Sequence, residues 1–369
     1  KNNKGIFIKS RAPITAYYEI SSVANMELLA LKGKNALGKE FYVPFQTTYP
    51  TTTQYTTSNH QYRPYSSFDI VATEDNTEIQ ITVPQAVFVY PGQNLSASTF
   101  TIWLNKGETA IIPPYANLTD ILYKVSRTNR LSGANVKVIS GGNIAIITRD
   151  DMVMAPSSNV DFVGDQIVPI DLLGLDYAVV RGRLTSSQEY AYVIGTVAST
   201  AVTVNGVSVG TINAGTTLPV QIPSTKPITT IHADKPIYVY HLSGFTAGTS
   251  STQFAGAIIP TISVCTGSSQ VAFNRTKAST SVGYYDFYLN ILVRDGAETS
   301  FSITDKNGND ATSLIPGLNT SSSYTLVGST DPFNKWRYAS FNANSIVSGA
   351  DEAYLIKRSE EHTSELQSH

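Results

Sequence analysis

The sequence predicts an all-β protein made of tandem antiparallel β-sandwich-like modules. Three observations lead there. Thr, Ser, Tyr, Val and Ile dominate a 369-residue chain that is 41% hydrophobic and 15% charged, a bias that favours strands over helices. Apolar and polar residues alternate with period two in EFYVPF (40–45), FDIVATE (68–74), EIQITV (78–83), FTIWL (100–104), VKVIS (136–140) and IAIIT (144–148), with turn residues between them. The chain also repeats itself, in order, which is the mark of tandem modules.

The repeat runs as follows. NALGKEFYVPF (35–45) corresponds to DLLGLDYAVVR (171–181), and SFDIVATEDNTEIQITV (67–83) to EYAYVIGTVASTAVTVN (189–205). LNKGETAIIPP (104–114) corresponds to INAGTTLPVQI (212–222), and VKVISGGNIAIITRD (136–150) to ITTIHADKPIYVYHL (228–242). A third, weaker copy begins near YYDFYLNILVRDG (284–296) and ends at YASFNANSIVSGADEAYLI. Modules are therefore expected over 1–155, 156–262 and 263–357, each of a size normal for a sandwich. A β-propeller made of the same repeated strands is the alternative. In SSVANMELLALKG (21–33), Ala, Met, Glu and Leu favour a short helix.

The chain starts at Lys1 and carries no signal-peptide pattern, so any export signal is expected outside it. Residues 358–369 back-translate into a common sequencing-adapter oligonucleotide and are expected to be a read-through artefact. The formal net charge is −2, and without that tail the charges balance. No basic footprint for nucleic acid exists, and no apolar run is long enough to span a membrane. The single cysteine, Cys265, excludes an intramolecular disulfide framework.

Motifs that suggest chemistry have plainer readings beside them. The acids of ATEDNTE (72–78) are replaced by GTVASTA (195–201) in the second copy, so the shared requirement is a polar turn. GVSVG (206–210) matches G-x-S-x-G, but it follows an Asn-Gly turn in a hairpin pattern and lacks the helix a nucleophile elbow needs. His232 and His241 lie on one extended run, on opposite faces and roughly 30 Å apart, too far to share a metal. Asp305, Asn307 and Asn309 alternate like the start of a calcium loop, without the distal Glu, and Asn-Gly alone also makes a turn. No catalytic residue, metal site or cofactor is expected.

The stretch YPTTTQYTTSNHQYRPYSSF (49–68) is the leading binding candidate. It holds Tyr49, Tyr55, Tyr62 and Tyr65 with His60 and Arg63. Tyrosine supplies contact area at low entropic cost, and long connections in compact domains are often functional. The plain alternative is a solvated hairpin extension.

ALGKEFYV (36–43), VATEDNTEIQI (71–81), LNKGE (104–108) and HADKPIYVYHLSG (232–244) resemble the IgGFc-binding protein N-terminal domain family. DFVGDQIVPI (161–170) and FAGAIIPTI (254–262) resemble its start-of-module phrase. The resemblance covers roughly residues 5–262. Animal members carry cysteines at the module junction and this chain has none there, which fits the bacterial branch. The resemblance implies modules near the start of long secreted or surface-attached proteins, and it implies no catalytic residues. The expected function is a non-enzymatic extracellular or cell-surface adhesion or binding module with a protein or glycan partner. The alternatives are a carbohydrate-binding accessory region of a secreted hydrolase and a structural surface stalk.

Overall fold

The computed structural model describes residues 2–20, 27–50, 66–84, 87–89, 93–95, 98–112, 131–154, 160–182, 187–246, 254–263, 267–275, 286–347 and 352–358. Among them the regular structure is antiparallel strand with a few 3-10 turns and no α-helix. The chain divides into two compact units, Lys1–Arg11 with Ala16–Val264, and Ala12–Thr15 with Cys265–His369.

The first unit opens with β1 (Asn2–Asn3), β2 (Ala16–Ile20) and β3 (Glu27–Leu31). Glu27–Leu31 lies where a short helix is expected. It pairs instead with Ala16–Ile20, Tyr18 opposite Leu29. Leu29 is buried while Leu28 is exposed, so the period is two, and pairing with a neighbour overrides helix propensity. The first module continues with β4 (Glu40–Tyr42), β5 (Ser66–Ala72), β6 (Thr77–Thr82), β7 (Val87–Val89), β8 (Gln93–Leu95), β9 (Thr99–Leu104), β10 (Glu108–Ile112), β11 (Asn135–Ser140), β12 (Ile144–Met154) and β13 (Val160–Gln166). A front sheet runs β4-β11-β6-β9 and a back sheet β1-β10-β5-β12-β13. Phe41, Ile79, Ile81 and Val136 of the front sheet share one core with Phe68, Ile70, Ile112 and Ile146 of the back, each such side chain worth roughly 1.5–3 kcal/mol when buried.

The second module has β14 (Gly174–Val180), β15 (Ser187–Gly195), β16 (Thr200–Val204), β17 (Val207–Ile212), β18 (Thr217–Ile222), β19 (Ile228–Thr246) and β20 (Ala255–Ile258). Its strand order is that of the first. The first part of β19 lies between β14 and β16, with β17 at the edge, and the later part lies between β15 and β20, with β18 beyond β15. One long strand thus does what β11 and β12 do in the first module. Each module is a pair of facing sheets, so the repeat builds sandwiches and not propeller blades.

The repeated residues explain the repeated topology. Thr73 Oγ1 donates to the Asn143 carbonyl at 2.7 Å, and Thr196 Oγ1 to that of Pro236 at 2.6 Å. Thr77 Oγ1 donates to the Glu74 carbonyl and Thr200 Oγ1 to that of Val197. The Asn76 N–H meets Asn105 Oδ1 at 3.1 Å, and the Ser199 N–H meets Asn213 Oδ1 at 3.0 Å. Asn76 and Ser199 both sit at positive φ, 53° and 55°. The acidic stretch is therefore a latched turn, and Asp75 serves it by accepting the Lys106 N–H at 3.0 Å.

The two modules are fused. Tyr192, Ile194, Tyr238, Tyr240 and Leu242 belong to the first module's core, while Ala191, Val193, Ile237 and Val239 fill the second's own. In the second module's back sheet the central strands, β15 and the later part of β19, are thus buried on both faces. Its edge strand β20 is held by carboxylates of β13: Asp161 Oδ2 accepts the Phe254 N–H at 2.8 Å and Asp165 Oδ2 that of Ile258 at 2.7 Å. Lys32 Nζ lies 2.7 Å from Asp165 Oδ1. Burial raises the Asp161 carboxyl to about 7 against the pull of the Phe254 and Phe162 N–H bonds. Burial also raises Asp165, opposed chiefly by the Lys32 charge. Burial and then the Asp161 charge raise the neighbouring Glu27 to about 9, and Glu27 Oε2 has no partner among the described residues.

The second unit has β21 (Gln270–Asn274), β22 (Tyr288–Arg294), β23 (Phe301–Thr304), β24 (Thr325–Leu326), β25 (Trp336–Asn342) and β26 (Ala353–Arg358). They form sheets β21-β26-β23 and β22-β25-β24 around Ile291, Ile303, Leu318, Phe341 and Ile356. Its last two strands exchange partners relative to the other modules, the penultimate one joining β22 and the last joining β23. Arg358 ends β26 opposite Phe301, while 359–369 lie outside the described residues.

Two outcomes follow. Gly133 has φ +81°, and a Cβ there would meet the Gly215 carbonyl oxygen of the other module at 1.8 Å. Gly133→Ala should cost at least about 2 kcal/mol in denaturant unfolding; an unchanged midpoint would mean that the modules do not meet there. Glu27 in the native state holds a proton that the unfolded chain gives up near its ordinary pKa of 4.5. Stability should therefore fall as pH rises towards about 9, by at most ~1.4 kcal/mol per unit from this group. Glu27→Gln cannot ionise, so its melting temperature should exceed the parent's at pH near 9 and converge with it in acid. Parallel melting curves at every pH would refute the assignment.

Candidate functional site

The connection from β4 to β5 spans residues 43–65, whereas its counterpart from β14 to β15 spans 181–186. The root of the longer connection is built from buried polar groups. Gln46 Nε2 donates to Asp150 Oδ2 and to the Tyr49 carbonyl, both at 2.9 Å, and Gln46 Oε1 accepts the N–H groups of Thr48 and Tyr49. Ser66 Oγ donates to the other Asp150 oxygen at 2.5 Å. Gln46 and Ser66 are fully buried and Asp150 is 2% exposed. A buried carboxylate is tolerated because these donors surround it.

Tyr49 itself, expected at a binding surface, is 5% exposed. Its ring packs edge-to-face on Tyr190 at 5.8 Å, and burial pushes its phenol pKa upward. It is an anchor for the connection and offers no surface to a ligand. Tyr55, His60, Tyr62, Arg63 and Tyr65 lie outside the described residues. Sequence reasoning passed over Gln46 and Ser66; the available signal was that both flank the insertion next to core-pattern residues.

The shorter counterpart closes with charge. Arg181 Nη1 lies 2.9 Å from Glu189 Oε1, and His241 Nε2 lies 3.0 Å from Glu189 Oε2, which also accepts the Gly182 N–H. Burial opposes ionisation of Glu189, but the bonds from His241 and Gly182 and the Arg181 charge outweigh it and hold the pKa down. His232 is bound elsewhere, Nδ1 lying 2.7 Å from Asp176 Oδ1. Each histidine thus has its own carboxylate.

The other expected motifs resolve into turns and strands. Ser208 lies on β17 after the Asn205-Gly206 turn, both at positive φ, 50° and 80°, which is the two-residue hairpin geometry. Thr203 sits opposite both Ser208 and His232. Ser208 and His232 are therefore two strands apart, about 10 Å, and no proton passes directly between them. Asp305 Oδ1 accepts the N–H groups of Asn307 and Asn309, and Oδ2 accepts Asn309 Nδ2. The Asn309 side chain leads the bonds that lower the Asp305 pKa, so these oxygens serve their own turn. Among the described residues no group of three or more His, Cys, Asp or Glu is arranged to hold a metal ion.

The outer faces of the two front sheets differ. In the first module Glu40 lies opposite Lys137, with Lys137 Nζ 3.2 Å from Glu40 Oε2. In the second, Asp176 and His232 occupy the matching places. Trp103 of β9 lies opposite Glu78 and is 48% exposed; the residue in its place on β17 is Thr211, opposite Ala201.

The model of the family described as IgGFc binding protein matches residues 28–350. No curated protein matches the chain. Among solved structures, a lectin from Pleurotus ostreatus in complex with GalNAc shares 10% identity over 60% of this chain and 85% of its own, with a TM-score of 0.18. The apo form of Pleurotus ostreatus lectin shares 10% over 60% and 84%, with a TM-score of 0.17. An anti-sigma factor domain-containing protein shares 7% over 62% and 97%, with a TM-score of 0.16. Superpositions this weak establish neither a fold nor a ligand. The family match runs from β3 to the segment before β26, through both repeated modules and most of the second unit, and the chain belongs to the IgGFc-binding protein family.

Proposed function

We propose that this chain is a non-enzymatic recognition segment of an extracellular or cell-surface protein, and that the β4–β5 connection of the first module meets a protein or glycan ligand. The observation that carries the reading is the buried clamp of Gln46, Asp150 and Ser66. It fixes both ends of an insertion that the second module does without. Two sheets in a sandwich are joined adequately by a few residues, so a spacer has no use for the insertion or for a buried carboxylate at its root. The family, described by binding to IgG Fc, supports recognition over catalysis; the antibody itself is not carried over as ligand. Tyr55, His60, Tyr62, Arg63 and Tyr65 are the residues proposed to make contact, because tyrosine and arginine dominate interface energetics.

The test leaves the clamp intact. Residues 51–64 are replaced by a short Gly-Ser turn, and retention on host-cell surfaces and immobilised glycoproteins is compared with the parent. The shortened protein should fold, with an unchanged melting temperature, and lose roughly tenfold or more in affinity. Undiminished retention would show that the insertion is a solvated extension and that any ligand sits elsewhere.

A further inference from the structure

The outer face of the first module's front sheet is a second, separate surface. Three rows of side chains cross it. Trp103, Glu78 and Ser140 form the first, with Ser140 Oγ donating to Glu78 Oε2 at 3.3 Å. Thr101, Gln80, Lys137 and Glu40 form the second. Thr99, Thr82, Asn135 and Tyr42 form the third, with the two threonine hydroxyls 3.1 Å apart and Asn135 Nδ2 donating to Glu40 Oε1 at 3.3 Å. Four strands at about 4.8 Å spacing make this face about 14 Å wide.

We propose that this face binds a neutral saccharide chain, with Trp103 as the stacking residue and Glu78 and Gln80 as its hydrogen-bonding partners. The occupant is argued from three features. First, the fold does not require the indole: Thr211 occupies the same place in the second module, so about half a tryptophan is left in water without a scaffold reason. Second, directly opposed side chains have Cβ atoms roughly 5 Å apart and diagonal ones within reach of an aromatic. A ring resting on Trp103 therefore has a carboxylate at Glu78 and an amide at Gln80 beside it, one accepting and the other both donating and accepting. That combination suits vicinal hydroxyls, with an amphipathic aromatic beneath the C–H face. Third, the charge does not attract anions. Among the described residues Glu40 and Glu78 stand against Lys137, which Glu40 already holds, and Lys39, whose Nζ donates to the Gly141 carbonyl at 3.3 Å. The charges balance, so no surplus of cations draws sulfate, sialate or phosphate groups, which favours uncharged sugars. The site does not use the β4–β5 connection, so it stands or falls apart from the loop reading.

The chain has two tryptophans, Trp103 and Trp336, so Trp336→Phe leaves Trp103 as the single indole reporter. Neutral oligosaccharides of glucose, mannose, galactose and N-acetylglucosamine are titrated against it, with a sulfated and a sialylated oligosaccharide as controls. At least one neutral series should shift Trp103 emission saturably, and neither charged control should. Calorimetry on the full chain should show affinity falling roughly tenfold or more in Trp103→Thr and in Gln80→Ala, while the protein lacking residues 51–64 binds as the parent does. Because threonine already occupies that place in the second module, Trp103→Thr should keep its melting temperature. Silence from every neutral series, preference for a charged control, or binding retained by Trp103→Thr would each overturn the proposal.

Discussion

A strand at the edge of a sheet presents N–H groups that must find acceptors, and here the acceptors are two aspartates of the neighbouring module. Asp161 and Asp165 are four residues apart, as are Phe254 and Ile258, whose N–H groups they accept. On extended chain that interval is about 13 Å, so both bonds form only when β13 and β20 run side by side in step. A slip of one residue would break both and turn the aspartates to the other face. Everything between the modules depends on that register. It brings Tyr192 and Tyr240 into the first module's core and sets Gly133 against Gly215. The cost is visible in the raised carboxyl pKa values, and Lys32 with the surrounding N–H groups offsets it. Carboxylates capping an edge also keep it from pairing with a foreign strand.

The repeat shows which residues the scaffold needs. Thr73 and Thr77 recur as Thr196 and Thr200, and Asn105 recurs as Asn213, each with the same hydrogen bond. These side chains close turns that backbone groups alone would leave unsatisfied, so any working copy must keep them or substitutes with the same oxygen. Glu74, Asp75 and Glu78 have no acidic counterpart in the second module. The latch is thus retained in the second module while the acids are not.

Much of the fold was legible because period-two patterning and self-similarity are local signals. The strands of both modules lie where alternation places them, and Glu74 and Asp75 of ATEDNTE lie in a turn, as comparison with GTVASTA indicates, while Glu78 lies on β6. What escaped depends on distant residues. Helix-forming ELLAL became a strand because AYYEI pairs with it, and no propensity encodes that partner. Tyr49 reads as one of four equivalent loop tyrosines, yet Gln46 and Tyr190 draw it into the core. Trp103 reads as one residue of a strand; only the pairing shows that Glu78 and Gln80 flank it on an open face.

The two modules divide their work by the faces they expose. Strand pairing sets Val71 opposite Thr109 and Ile194 opposite Thr217, so Ser67 and Asp69 occupy the places of Tyr190 and Tyr192. In the second module those tyrosines bury a back sheet against the first. In the first, Ser67 Oγ donates to Asp69 Oδ1 and Arg149 donates to Ser67, a polar arrangement unsuited to an apolar partner. The second module spends its back sheet on attachment and carries small residues, Ala201 and Thr203, on its front. The first keeps an insertion at one end and an indole with polar neighbours on its front sheet. The insertion and the exposed indole are thus both carried by the first module, while the back sheet that attaches the pair is supplied by the second.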